Sequence, residues 1–206
     1  SRGLGDVYKR QEWLERHPEE EGIELIHYAS SLGINILDCW MADPKSRDII
    51  GKGIKENRSN WFIQGHIGST WKDEQYFRTR DMKYVSPAFE DLLKRLQTDY
   101  IDMGMIHYVD SEEEWEQIQH SDYLDYVMEL KNSGVIRHIG ISSHNPKVAI
   151  KAAESGYVEM ILFSINPAFD MLPASENIDT MFAEEFDAGL KGIDGDRARL
   201  YKVCEQ

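Results

Sequence analysis

The sequence predicts an α/β fold built on parallel strands, and three observations carry that reading. The segments "SLGINILDCW" (31–40), "NSGVIRHIGISS" (132–143) and "ESGYVEMILFSIN" (154–166) each pass from a helix end through a glycine into an apolar strand that finishes in a polar residue. Glycine suits that junction because helices commonly close on a left-handed residue, which glycine adopts without a Cβ penalty. Apolar residues at helical spacing precede each junction. Strand starts recur roughly every 25 to 40 residues, the spacing of βα units, and parallel pairing follows.

In chain order, the first helix carries Leu25, Tyr28, Ala29 and Leu32 on one face and leads into the strand ending at Asp38. "SRDIIGKGIKEN" reads as the next helix and "NWFIQGHIG" (60–68) as the next strand. In "SPAFEDLLKRLQT", Ser86 is the expected N-cap and Pro87 the expected first helical residue, with Phe89, Leu92, Leu93 and Leu96 along one face. A strand over 100–109, a helix with Leu124, Val127 and Met128, and a strand into Ser142 come next. Val148, Ala149, Ala152 and Ala153 mark the helix before the last junction. The stretch from Pro173 to Gly192 reads as a helical excursion, and a final helix is expected from about Asp196.

The 206 residues, 41% hydrophobic, suffice for one domain, although an eight-fold βα barrel runs to roughly 250. No apolar run approaches the roughly 18 residues of a membrane span, and no secretory signal opens the chain, so a cytoplasmic protein without a membrane partner is expected. The two cysteines, Cys39 and Cys204, have no metal-binding spacing. A formal charge of −14 disfavours nucleic acid, whose phosphates require a surplus of Lys and Arg on one face. Acid runs such as "DSEEEWEQ" read as solvated surface.

Polar side chains at the carboxyl ends of parallel strands gather where such folds carry their chemistry. Here they are Asp38, His66 and His107, then Ser142, Ser143, His144 and Asn145, then Ser164 and Asn166. Each alone has a structural explanation, as when Asn145 caps the helix starting at Pro146. Trp40 and Tyr108 are expected to line the same mouth, and Trp71 belongs to a long loop (64–81) that is either a substrate wall or a lid. A metal-dependent hydrolase with Asp38, His66, His107 and His144 as ligands is the alternative chemistry, although no H-x-H pair supports it.

At "GINILDCW", "FEDLLKRLQTDYIDMGMIH" and "GVIRHIGIS" the chain resembles the aldo-keto reductases, (β/α)8 TIM barrels that reduce carbonyls with NADP(H). It is most similar to the branch that often carries a C-terminal 4Fe-4S domain. The resemblance implies a partial barrel, with strands two to six and their helices present and strands one, seven and eight missing. It places Asp38 and His107 in the family's catalytic Asp and His positions, Asp43 in its tyrosine slot and His66 in its lysine slot. Ser142 matches the serine that holds the nicotinamide amide; Ser143 and Ser164 stand in for its other contacts, with Asn145 close by. An oxidoreductase of a small carbonyl or alcohol is implied, its catalytic set altered and this fragment inactive. Any 4Fe-4S cluster would lie in the missing C-terminal part. A non-catalytic barrel supporting such a domain is a further alternative. Residues 1–11, containing "DVYKRQ", resemble non-native read-through, which leaves 12–206 as the truncated barrel domain, expected to self-associate through open strand edges.

Overall fold

The computed structural model describes residues 19–165 and 192–205. The segment 1–11 and the excursion from Pro173 fall outside them, as does Asn166. The strands are β1 at Ile36–Cys39, β2 at Phe62–Ile67, β3 at Ser69–Lys72, β4 at Gln75–Arg78, β5 at Ile101–Ile106, β6 at Ile136–Ser142 and β7 at Met160–Leu162. Five strands share one sheet in the order β1-β2-β5-β6-β7, and a two-stranded sheet pairs β3 with β4. Strand order in the larger sheet follows chain order with helices between, which is the α/β pattern expected of a partial (β/α)8 barrel. The chain divides into two compact units: Ser1–Gly104 with Ser133–Arg137, and Met105–Asn132 with His138–Gln206. Strands β5 (Ile101–Ile106) and β6 (Ile136–Ser142) contribute residues to both.

In the first unit, α1 (Glu19–Ser31) opens on three glutamates, which suit the positive end of a helix dipole. It ends at Gly33, whose φ of +83° is the left-handed closure expected from the sequence. Strand β1 (Ile36–Cys39) pairs in parallel with β2 (Phe62–Ile67) in the register Asp38↔Gln64. Between them lies α2 (Pro44–Ile54), with Pro44 in its first turn. Its Gly51 packs directly on the backbone of Arg95 and Leu96 in α3 (Met82–Leu96). Ile54, Trp61, Ile63, Val85, Leu92 and Ile101 are at most 2% exposed and form the centre of this unit. The apolar face expected on α1 is largely uncovered among the described residues, with Leu25, Tyr28 and Leu32 about three-fifths exposed.

Two expectations are corrected in this unit. Helix α3 begins four residues before Ser86, and Pro87 lies inside it. Asp81 is the cap: its Oδ1 accepts the Lys83 N–H at 3.0 Å and its carbonyl accepts from Tyr84 and Val85. Burial of Val85 rewards the earlier start, and Pro87 then merely lacks one N–H for the preceding turn. The segment read as a long loop also contains a hairpin, β3 (Ser69–Lys72) and β4 (Gln75–Arg78), joined by Asp73 and Glu74.

In the second unit, α4 (Glu112–Ile118) is capped by Ser111 and followed by α5 (Asp122–Asn132). Strand β6 pairs in parallel with β7 (Met160–Leu162). Helix α6 (Pro146–Glu154) is capped by Asn145, whose Oδ1 accepts the Lys147 N–H at 3.0 Å. Helix α7 (Gly195–Cys204), capped by Asp194, packs on α6 through Leu200 against Ala149 and Ile150. Among the described residues no helix is long and apolar enough to cross a membrane.

Candidate active site

The sequence-predicted residues fall into two constellations, one in each unit. In the first, strand alternation puts Gln64 and His66 on one face of β2, and the β1–β2 register puts Asp38 beside Gln64 on that face. His66 Nε2 lies 2.9 Å from Asp38 Oδ1, with His66 2% and Asp38 38% exposed at the side chain. The approach has ion-pair distance without the alignment of a hydrogen bond. Gln64 is buried with its Oε1 making no hydrogen bond among the described residues, so an acceptor oxygen stands ready next to the pair. Cys39 follows Asp38 but is spent on packing: burial, reinforced by the Asp38 charge, pushes its thiol up to about 12.

Asp43, in the expected tyrosine slot, caps α2. Its Oδ2 accepts both the amide and the hydroxyl of Ser46 at 2.8 Å, which commits that oxygen to starting the helix. Trp40 meets Tyr76 of the hairpin edge-on at 5.6 Å, and the Trp40 carbonyl accepts the Ser69 hydroxyl. Trp71 lines a cleft of about 270 Å³ with Phe77, Tyr84 and Arg47. The hairpin is therefore tied to the loop after Asp38 within this unit.

The second constellation joins the carboxyl ends of β5 and β6. Tyr108 has φ +51°, a conformation that costs a bulky residue free energy. Its amide donates to Ser142 Oγ at 2.7 Å, and the Val109 amide donates to the Ser142 carbonyl at 2.9 Å. The Tyr108 ring lies between two histidines, its centroid 6.2 Å from that of His107 and 5.1 Å from that of His144. Beneath them Asp110, which the sequence reading missed, is 2% exposed. Its Oδ1 accepts the His144 amide at 2.6 Å and the Ser143 hydroxyl at 3.2 Å, and its Oδ2 lies 2.9 Å from His144 Nδ1. Asn145 Nδ2 donates to the Asp110 carbonyl at 2.9 Å. The available signal was an acid three residues beyond a strand-end histidine, in "HYVD".

For a nicotinamide amide, the residues present fit in part. Ser142 Oγ accepts from Tyr108 and so keeps its own hydrogen to donate. Ser143 and Asn145 are engaged by Asp110 and the α6 cap. Ser164 is half-buried, and its carbonyl accepts from Arg197 at 3.2 Å. Among the described residues, no three of the metal-ligating types gather to hold an ion.

The family profile described as "Aldo/keto reductase family" matches residues 3–191. The aldo-keto reductase YhdN of Bacillus subtilis (strain 168) is 34% identical over 129 residues, covering 61% of this chain and 38% of that protein. The uncharacterized oxidoreductase YqkF of the same organism is 28% identical over 159 residues, covering 75% and 50%. Among solved structures, the holo form of aldo-keto reductase AKR11C1 from Bacillus halodurans aligns with a TM-score of 0.60 at 28% identity, covering 72% of this chain and 49% of that one. The chain thus spans half or less of the length of these relatives.

Proposed function

Because this chain belongs to the aldo/keto reductase family, we propose that the protein it forms is an NADP(H)-dependent oxidoreductase of a carbonyl or alcohol substrate, working with an altered catalytic set. The observation that carries this reading is the contact between Asp38 and His66 at the tips of adjacent parallel strands, in the family's Asp and Lys positions. NADP(H), when bound, supplies the hydride.

This chain's own residues then hold the amide, orient the carbonyl and move a proton. Ser142 offers its hydroxyl hydrogen to the amide. Asp38 faces the His66 ring at ion-pair distance, in the position where the family has a lysine. His107, buried at the end of β5, is the carbonyl-orienting donor. Trp40 and Trp71 in the first unit, and separately Tyr108 in the second, supply apolar surface suited to a small substrate.

The same reading places the protein with the branch that carries a C-terminal 4Fe-4S domain. The two cysteines of this chain, one buried and one exposed, could not build a four-cysteine cluster by themselves. It also expects copies of this chain to associate through open strand edges.

The test is NADPH consumption by the full-length protein with a panel of aldehydes and ketones. His107→Ala and His66→Ala are each expected to lower kcat/KM by about 100-fold or more. Full rates in both variants would overturn the assigned roles, and stoichiometric zinc in the purified protein would revive the hydrolase.

A further inference from the structure

We propose that Asp110 and His144 form a histidine–carboxylate pair that delivers the proton in the reaction proposed above, in place of the tyrosine whose slot Asp43 occupies. The proposal rests on that reading and deepens it. Asp110 is nearly inaccessible, and three groups converge on its carboxylate: the His144 amide, the Ser143 hydroxyl and His144 Nδ1. In the pair as proposed the Asp110 carboxylate accepts, which puts the ring hydrogen on His144 Nδ1, directed at Asp110 Oδ2. The other nitrogen, Nε2, makes no hydrogen bond among the described residues, and the side chain is 22% exposed. The pair therefore holds one ring nitrogen fixed and presents the other, the arrangement a general acid–base requires.

Its position supports the same assignment. His144 follows directly on the end of β6 and packs against Tyr108, which packs in turn against His107 at the end of β5. Tyr108 is held in its left-handed conformation by the Ser142 hydroxyl, the group assigned to the amide. Unlike Asp73 and Glu74 in the hairpin turn or Gln97 at a helix end, Tyr108 takes its left-handed conformation just past a strand end beside two histidines, where such strain goes with function. A purely structural latch between the two strand ends is already provided by Asn145 Nδ2, Ser143 and the His144 amide. The imidazole adds one bond to that latch, from Nδ1 to Asp110 Oδ2 at 2.9 Å, and this bond uses only one of its two ring nitrogens.

In the step itself, the protonated ring gives the Nε2 hydrogen to the substrate oxygen, and the N–H bonding pair remains on Nε2. The carbonyl π pair has by then moved to that oxygen, because the carbon has gained the hydride. Nε2 regains a proton from water, and Asp110 stays ionised throughout while keeping Nδ1–H in place. His144 is thus the catalytic residue and Asp110 a positioning residue.

The experiment has two arms on the full-length protein. Ring ¹⁵N NMR of His144 at a pH where it is neutral should show the Nδ1–H tautomer. Asp110→Asn should shift it toward a mixture while the melting curve stays cooperative. A wild-type ring in the Nε2–H tautomer overturns the pair, with no reference to activity. In the second arm, His144→Gln should lower kcat by about 100-fold with the KM for NADPH little changed, and Asp110→Asn by roughly 10-fold or more. Wild-type turnover retained in His144→Gln while His107→Ala is inactive overturns the role of His144 and leaves the reductase reading standing. A wild-type protein inactive toward every carbonyl overturns both.

Discussion

Asp102 Oδ2 receives Arg58 Nη2 at 2.9 Å inside the first unit, where the carboxylate side chain is 4% exposed. The same oxygen accepts the Ile63 amide at 3.0 Å, and Oδ1 accepts Arg137 Nη1 at 3.0 Å. The two guanidinium groups also lie over the Tyr100 ring, 4.1 and 4.0 Å from its centroid. One buried carboxylate thus ties β5 to β2, to the turn before β2 and to the start of β6. Removing it leaves a mostly buried Arg58 and a buried amide without their acceptor. Asp102→Ala is expected to destabilise the protein by about 3 kcal/mol or more, measured as a lower urea midpoint. An unchanged midpoint would show that the network contributes nothing net.

Gly51 sits in the middle of α2, where alanine would ordinarily favour the helix by about 1 kcal/mol. A Cβ there would fall on the Arg95 carbonyl and come within 2.9 Å of the Leu96 Cα, both backbone atoms that cannot rotate away. Gly51→Ala should therefore destabilise, by about 2 kcal/mol or more. At Gly53 the obstacle is the flexible tip of the Ile26 side chain, and Gly53→Ala should cost clearly less. Thermal melting of the two variants side by side checks the ordering.

What the sequence made legible follows from local chemistry. The three junction glycines take φ of +83°, +79° and +78°, so the strands after them were readable from composition alone. Strand-end position likewise picked out Asp38 and His66, which meet, and Ser142, which holds Tyr108. Ser86-Pro87 misled because a local start signal was outweighed by Asp81 and by burial of Val85, which only the tertiary structure reveals. Asp110 was passed over because an acid beyond a strand end is ordinarily solvated. Its burial depends on Ser143, His144 and Asn145, more than 30 residues away.

The hairpin was illegible for a related reason. Its turn residues, Asp73 and Glu74, have φ of +50° and +60°, a type I′ geometry that usually signals itself through Asn-Gly. The double change Asp73→Asn with Glu74→Gly should relieve that strain and raise Tm by about 2 to 4 °C, corresponding to about 1 kcal/mol. A lower Tm would mean that the Asp73 and Glu74 side chains make favourable contacts outweighing the backbone cost.

The two thiols should differ sharply in reactivity. Cys39 is 3% exposed with its thiol held near 12, whereas Cys204 is exposed at the end of α7. Because the thiolate is the nucleophile, a disulfide reagent at neutral pH should titrate one thiol in the native protein and two in denaturant. Cys204→Ser should abolish the native signal, and rapid native labelling of Cys39 would contradict its burial.

Glu159 gives the pH prediction. Burial alone would raise its carboxyl, but Lys131, His138 and the Ile139 amide outweigh that and hold it at about 2, against an ordinary value of 4.5. Lys131 Nζ lies 2.6 Å from Oε1, His138 Nδ1 lies 2.8 Å from Oε2, and the Ile139 amide donates to Oε1 at 3.2 Å. With the folded value below the unfolded one, the contribution is complete above about 4.5 and fades as the pH falls toward 2. Since the side chain is 41% exposed, solvent screening limits the effect to about 1 kcal/mol or less. The urea-midpoint gap between wild type and Glu159→Gln should be visible at about pH 5 and shrink by about pH 2.5. A gap that stays constant across that range would mean that the interactions of Glu159 survive its protonation, and that its charge is not what they depend on.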